Sequence, residues 1–183
     1  MKRDEAILAL RSSRKELQDT LADFGEEDFA RAKVANKWSI HDMFAYVAAW
    51  DEEIVRILQT FPMPGESVYT YTISDKNDFA AWNEEQIALR REHTLPQVMG
   101  EFEKARRDLI QVLEGLTDAV LNRSRMTSWG KPATGFELVV MQAERERKNA
   151  LYVMSYRKKR ERWVRARKSL SVRRKTKKKK GTV

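Results

Sequence analysis

No cysteine occurs among the 183 residues, which excludes disulfides, thiolate nucleophiles and thiolate metal sites. Histidine is nearly absent as well, with His41 and His93 the only two. Glycine and proline are scarce, so the periodic segments run unbroken for many residues. No apolar run approaches the ~20 residues needed to span a bilayer. The start, Met1-Lys2-Arg3-Asp4-Glu5, has no apolar stretch of a secretory leader, so export is not expected and a cytoplasmic location is. Also missing are a Gly-rich phosphate loop, a Ser-His-Asp order and a pair of catalytic carboxylates, the usual enzyme signatures.

What the chain does have is charge, unevenly spread. The whole carries +9, yet residues 156–183 hold 15 Lys/Arg against Glu161 alone, leaving 21 bases and 26 acids in residues 1–155. A mildly acidic body carries a basic tail, so any argument about polyanions belongs to the tail. The length suits one domain with an appendage, large enough to bury roughly two thirds of its unfolded surface without a staple.

The body reads as helices. Ile7, Leu8, Leu17, Leu21 and Phe24 recur at helical spacing, and Gly25 reads as a left-handed terminator. Ser39 followed by Asp42 predicts a capping box, worth about 1 kcal/mol. A broad apolar stripe follows, Ile40 through Leu58, and the residues from Phe61 to Gly65 stop it. Residues 68–73 are β-branched and aromatic; a lone strand builds no sheet, so an ordered loop crossing the bundle is expected. A third helix opens at Ser74 or Asp75 and runs to about His93. Thr94-Leu95-Pro96-Gln97 restarts it with proline in the first turn, and Val98, Met99, Phe102, Ala105, Leu109, Ile110, Val112, Leu113 and Leu116 carry it on. A capped turn at 117–121 and a loop at 125–135 lead to a last helix. That helix begins near Phe136, buries Phe136, Leu138, Val139, Met141, Ala143, Leu151 and Met154, and runs through Trp163 to about Lys168. The fold class expected is all-α: a four-helix bundle with one long crossover over residues 1–160, and a basic helix extension and tail over 161–183.

Lys37-Trp38-Ser39-Ile40-His41-Asp42, leading to Ala45-Tyr46-Val47-Ala48-Ala49-Trp50-Asp51, resembles the second-helix signature WSxxD…AHLAAW of the DinB/YfiT-like superfamily, and within it the ClbS/DfsB group. Residues 83–121 are similar to that group's Asn-containing third helix, its L…F segment and its L(S/T)D…L turn. Trp129-Gly130-Lys131-Pro132 resembles its lead into the last helix. In metal-binding members, three histidines hold a divalent cation, one on the second helix and two a turn apart on the last. The resemblance places these slots at Tyr46, Arg145 and, one turn on, Asn149, none of them histidine. Arginine cannot ligate a cation, and neutral tyrosine does so poorly. His41 and His93 would need partners such as Asp42 or Glu92, and they read as surface or capping residues. No metal and no cofactor are expected.

If a cleft persists, the resemblance puts it between the second and last helices. Tyr46, Arg145 and Glu144 are the candidate catalytic residues, with Lys148, Trp50, Trp82 and Trp129 as candidate ligand contacts. Such a cluster suits an anionic or planar small molecule, or a positioned water. The plainer alternative is a core tyrosine, with Arg145 paired to Glu144 or Glu146. Trp38 reads as a staple at the helix entry. In the tail, Arg157, Lys158, Lys159, Arg160, Arg162, Trp163, Arg165, Arg167 and Lys168 can continue the last helix. Arg173, Arg174, Lys175, Lys177, Lys178, Lys179 and Lys180 lie in a run that cannot fold alone. DNA or RNA binding without sequence specificity is the leading reading of this tail; an anionic membrane surface and a purely solubilising role are the alternatives.

Two functions therefore stand open. In one, the resemblance implies stress or genotoxin resistance, by sequestration or metal-independent hydrolysis of a small molecule. In the other, a non-catalytic bundle is anchored to nucleic acid or ribosome by its tail.

Overall fold

In the computed structural model, residues 1–35, 37–64, 73 and 79–180 are described; the side chains of Glu26, Arg31, Val164 and residues 166–180 are not. Four long helices make the bundle: α1 (Arg3–Leu21), α3 (Ile40–Gln59), α5 (Leu95–Glu114) and α7 (Gly135–Lys180). Shorter α2 (Glu26–Arg31), α4 (Phe79–Leu89) and α6 (Asp118–Leu121) join them, with a hairpin of β1 (Ser124–Met126) and β2 (Pro132–Thr134). α1 lies along α7, α3 lies along α5, and α3 also meets α7 and α4.

Local chemistry sets the helix starts. The Ser39 hydroxyl accepts the Asp42 N–H at 3.1 Å, and the Asp42 carboxylate accepts the Ser39 N–H at 2.8 Å. Thr94 with Gln97 and Thr134 with Glu137 repeat this reciprocal cap at α5 and α7. Gly135 is needed where α7 begins, since an added Cβ would stand 2.6 Å from a Leu121 methyl.

Two apolar clusters fill the interior. One gathers Leu17, Met43, Phe44, Val47, Phe102 and Val153. The other gathers Leu10, Ile54, Leu58, Leu109, Leu121 and Val139. Between them, at the waist of the bundle, each long helix contributes one buried charged residue: Arg14, Asp51, Arg106 and Glu146.

Several expectations are corrected. α1 ends at Leu21, and Gly25 caps an unforeseen helix, α2, with an extended φ of −80° rather than a left-handed one. The loop expected at 125–135 is the β1–β2 hairpin, turned by Gly130 at φ 72°. Leu8, Met99, Leu151 and Met154 are exposed; each sits about 100° round its helix from a buried neighbour, so helical spacing alone misplaced them. Ser74, Asp75 and all of residues 68–73 but Ile73 lie outside the described residues; the described third helix covers Phe79–Leu89.

The largest correction is α7, one helix of 46 residues reaching Lys180, past the end expected near Lys168. Lysine and arginine are good helix formers. A segment growing from a helix already formed escapes the costly nucleation step, and cations suit a helix C-terminus. At 1.5 Å per residue α7 is roughly 70 Å long, so it projects well past the bundle.

Candidate functional site

A cluster of buried charges ties the four long helices together at the waist of the bundle. Arg106 donates to Asp51 through Nε and Nη2, at 3.0 and 3.1 Å, and to Glu146 at 2.8 Å. Arg14 donates to Glu146 at 2.7 Å and to Asp51 at 3.1 Å, with its guanidinium 3.4 Å above the Phe102 ring centroid. Ser13 donates to Glu146 at 2.7 Å. Both carboxylates are fully buried. Burial pushes the Asp51 carboxyl up from its ordinary range, while Arg106 and Arg14 pull it back. Every charge here has a partner of opposite sign, so the cluster is a structural tie among four helices.

Gln142 links this tie to the cleft. Its amide nitrogen donates to Asp51 at 2.6 Å, and its amide oxygen accepts from Arg145 Nη1 at 2.6 Å. The half-buried Arg145 guanidinium stacks 3.9 Å above the Trp50 ring and stands 5.8 Å from the Tyr46 ring centroid. Burial pulls it below the ordinary guanidinium range, against the pull of Tyr46 and Asp51. Burial likewise pushes the Tyr46 hydroxyl up, although Arg145 and Lys148 oppose that. At neutral pH the phenol is therefore a neutral hydrogen-bond donor.

Beside this pair lies a cavity of about 300 Å³, lined by Ala35, Lys37, Trp38, Tyr46, Glu84, Arg145, Lys148, Asn149 and Tyr152. The Trp38 indole N–H donates to Glu84 at 2.8 Å, Lys37 Nζ lies 3.0 Å from the same carboxylate, and Trp38 packs on Tyr46 at 5.0 Å. Across the Trp38–Glu84 wall is a second cavity of about 590 Å³, lined in part by Phe29, Lys33, His41, Arg91 and His93.

Of the residues singled out from sequence, Tyr46, Arg145 and Lys148 meet at the first cavity. Glu144 does not; it is exposed. The expected pairing of Arg145 with Glu144 or Glu146 is also absent, because Glu146 turns inward to Arg14 and Arg106. Trp50, Trp82 and Trp129 pack together, at 4.6 Å for Trp50–Trp82 and 5.8 Å for Trp50–Trp129. They form a wall behind Arg145 rather than the cavity lining. Trp38, Asn149 and Tyr152 line the cavity instead; Trp38, read from sequence as a staple, stands between two cavities.

His41 and His93 are brought close, with the His41 ring nitrogen 2.9 Å from the His93 carbonyl oxygen. Among the described residues, no three His, Cys, Asp or Glu side chains are grouped to hold a metal ion. The Tyr46–Arg145 pair does not fit a divalent cation, since a guanidinium fixed at that position repels one.

On the tail, Arg157 pairs with Asp23 and Arg160 with Asp28 at 2.8 Å, fastening α7 to the α1–α2 corner. Lys158, Lys159, Arg162, Trp163 and Arg165 are exposed. Arg167, Lys168, Arg173, Arg174, Lys175 and Lys177 to Lys180 lie on the α7 backbone, with side chains outside the described residues.

The DinB superfamily profile matches residues 9–153. The chain belongs to the DinB superfamily. No curated protein sequence matches it. Among solved structures, it is similar to the colibactin self-resistance protein ClbS in complex with double-stranded DNA, with TM-score 0.70 and 13% identity over 86% of this chain and 96% of ClbS. It is also similar to an uncharacterised protein from Escherichia coli UTI89, with TM-score 0.65 and 15% identity over 87% of this chain and 95% of that one. A third likeness is to the mycothiol-dependent maleylpyruvate isomerase, with TM-score 0.69 and 12% identity over 84% of this chain. The match spans only 61% of the isomerase's length. At such identities these likenesses show the shared fold. No helix among the described residues is long and apolar enough to cross a membrane.

Proposed function

We propose that this DinB-superfamily protein is a cytoplasmic, metal-free protective protein. It associates with nucleic acid through the basic end of α7 and holds a small molecule in the Tyr46–Arg145 cleft. The observation that carries this reading is the unbroken α7, which runs from the cleft wall at Arg145 and Asn149 to a projecting arm of cations. One helix thus joins a ligand-sized cavity to a phosphate-neutralising surface. Beyond Glu161 the arm has no acid, so its like charges repel along the helix; a phosphate backbone relieves that repulsion and releases counterions. The fold of ClbS, a self-resistance protein crystallised with double-stranded DNA, lends support to a protective role on nucleic acid. Because Arg157 and Arg160 are engaged with the bundle, the contacts fall to Lys158, Lys159, Arg162, Arg165 and the cations beyond.

The test is a salt titration of duplex DNA and RNA binding, full-length protein against a truncation after Glu161. If the arm neutralises six or more phosphates, affinity drops roughly a thousandfold between about 50 and 200 mM salt, and the truncation abolishes binding. A truncated protein that binds as tightly as the whole chain overturns the nucleic-acid reading.

A further inference from the structure

Arg145 differs from the buried arginines Arg14, Arg90 and Arg106. Arg14, Arg90 and Arg106 each reach carboxylates within ion-pair distance. Arg145 reaches none among the described residues; its hydrogen-bond acceptor is the neutral Gln142 oxygen. Asp51, the acid that Gln142 also touches, is already met by Arg14 and Arg106. Half-buried with no carboxylate within ion-pair distance, this guanidinium keeps N–H groups beyond those turned to Gln142 and Tyr46 for other acceptors.

The cavity beside it has the matching deficit. Asn149 is 4% exposed, lines the same space, and its side-chain N–H₂ has no acceptor among the described residues. Tyr46 adds a phenol kept protonated by burial, and Lys148 and Lys37 stand at the rim. The one acid on the wall, Glu84, is engaged by Trp38 and Lys37. Donors therefore converge on this cavity, and Trp38, Tyr46 and Tyr152 give it flat aromatic walls. A guanidinium fork matches the two oxygens of a carboxylate.

We propose that the cleft binds a small planar carboxylate, its anionic head held by Arg145, Tyr46 and Asn149 and its flat body lying against Trp38 and Tyr152. This rests on the reading that the cleft holds a small molecule, and is independent of what the α7 arm binds.

The test uses full-length protein and three probes of one shape: benzoate, neutral benzamide and cationic benzylamine, followed by calorimetry and tryptophan fluorescence. Benzoate is expected to bind saturably, at least about tenfold tighter than benzamide, with benzylamine not binding. Arg145→Gln should weaken benzoate about 10- to 100-fold and bring it level with benzamide, while Tyr46→Phe weakens it less. Arg145→Lys, which keeps the charge and loses the fork, should recover only part. Equal binding of benzoate and benzamide overturns the proposal, as does benzoate binding unchanged in Arg145→Gln, no benzoate binding, or a stoichiometric divalent metal between Tyr46 and Arg145. Salt-sensitive DNA binding measured on the same preparations reports the α7 arm separately, so either reading can fail without the other.

Discussion

Arg106 and Arg145 point into one interior from different helices, and they meet opposite surroundings. Arg106 spends its fork on two fully buried carboxylates and gives a further N–H to the Leu10 carbonyl. Arg145, on the far side of Gln142, has an amide oxygen and an indole face. In a low-dielectric interior, complete pairing turns charge into rigid structure. Incomplete pairing beside a cavity leaves a demand that a ligand can meet. The two sites share residues through Gln142 and Asp51, yet one holds the helices together and the other lines a cavity.

The sharpest way to break this contrast is to remove a carboxylate from the waist. Asp51→Ala leaves Arg14 and Arg106 sharing the single carboxylate of Glu146, and urea denaturation should show a loss of about 3–5 kcal/mol; a loss below about 1 kcal/mol would mean that water reaches the cluster. Ser13→Ala, which removes the hydroxyl donated to Glu146, should cost about 1.5–3 kcal/mol by the same measurement. Arg145→Met removes no ion pair, only a stacking contact and one hydrogen bond. It should change unliganded stability by about 1 kcal/mol or less, and a loss as large as that of Asp51→Ala would erase the distinction between the two arginines.

The finest test is a titration. Burial holds the Tyr46 proton more tightly in the folded chain, so its contribution to stability is whole below the unfolded value, about pH 10, and is lost as pH rises through the higher folded value. The difference in alkaline absorbance between the native chain and Tyr46→Phe should therefore appear above pH 10. An ionisation at or below the ordinary tyrosine value would show that Arg145 outweighs burial.

The resemblance placed one slot at Tyr46 on the second helix and another at Arg145 on the last; both residues line one cavity. The waist cluster was not seen, although its signal was present. Arg14 lies between Leu10 and Leu17, Arg106 between Phe102 and Leu109, and Glu146 between Ala143 and Ala150. Each is in register with a buried stripe, which a solvated charge would avoid. Glu144 was chosen over Glu146 although both adjoin Arg145, and a two-residue step turns a side chain about 200° round the helix. Trp38 was legible as a helix-entry residue and not as a cavity wall, because Glu84, its partner, is 46 residues away.

Hydrophobic periodicity and caps, both local, settled most of what this sequence could settle alone: four long helices, the Ser39–Asp42 and Thr117 starts, and an acidic body with a basic extension. Helix continuity to Lys180 was decided by attachment to a helix already formed, a cooperative effect invisible in the composition of the tail. Which arginine is paired and which is left facing a cavity was decided only in three dimensions. The partners that answer that question come from four helices, and no spacing along one chain records how those helices are packed.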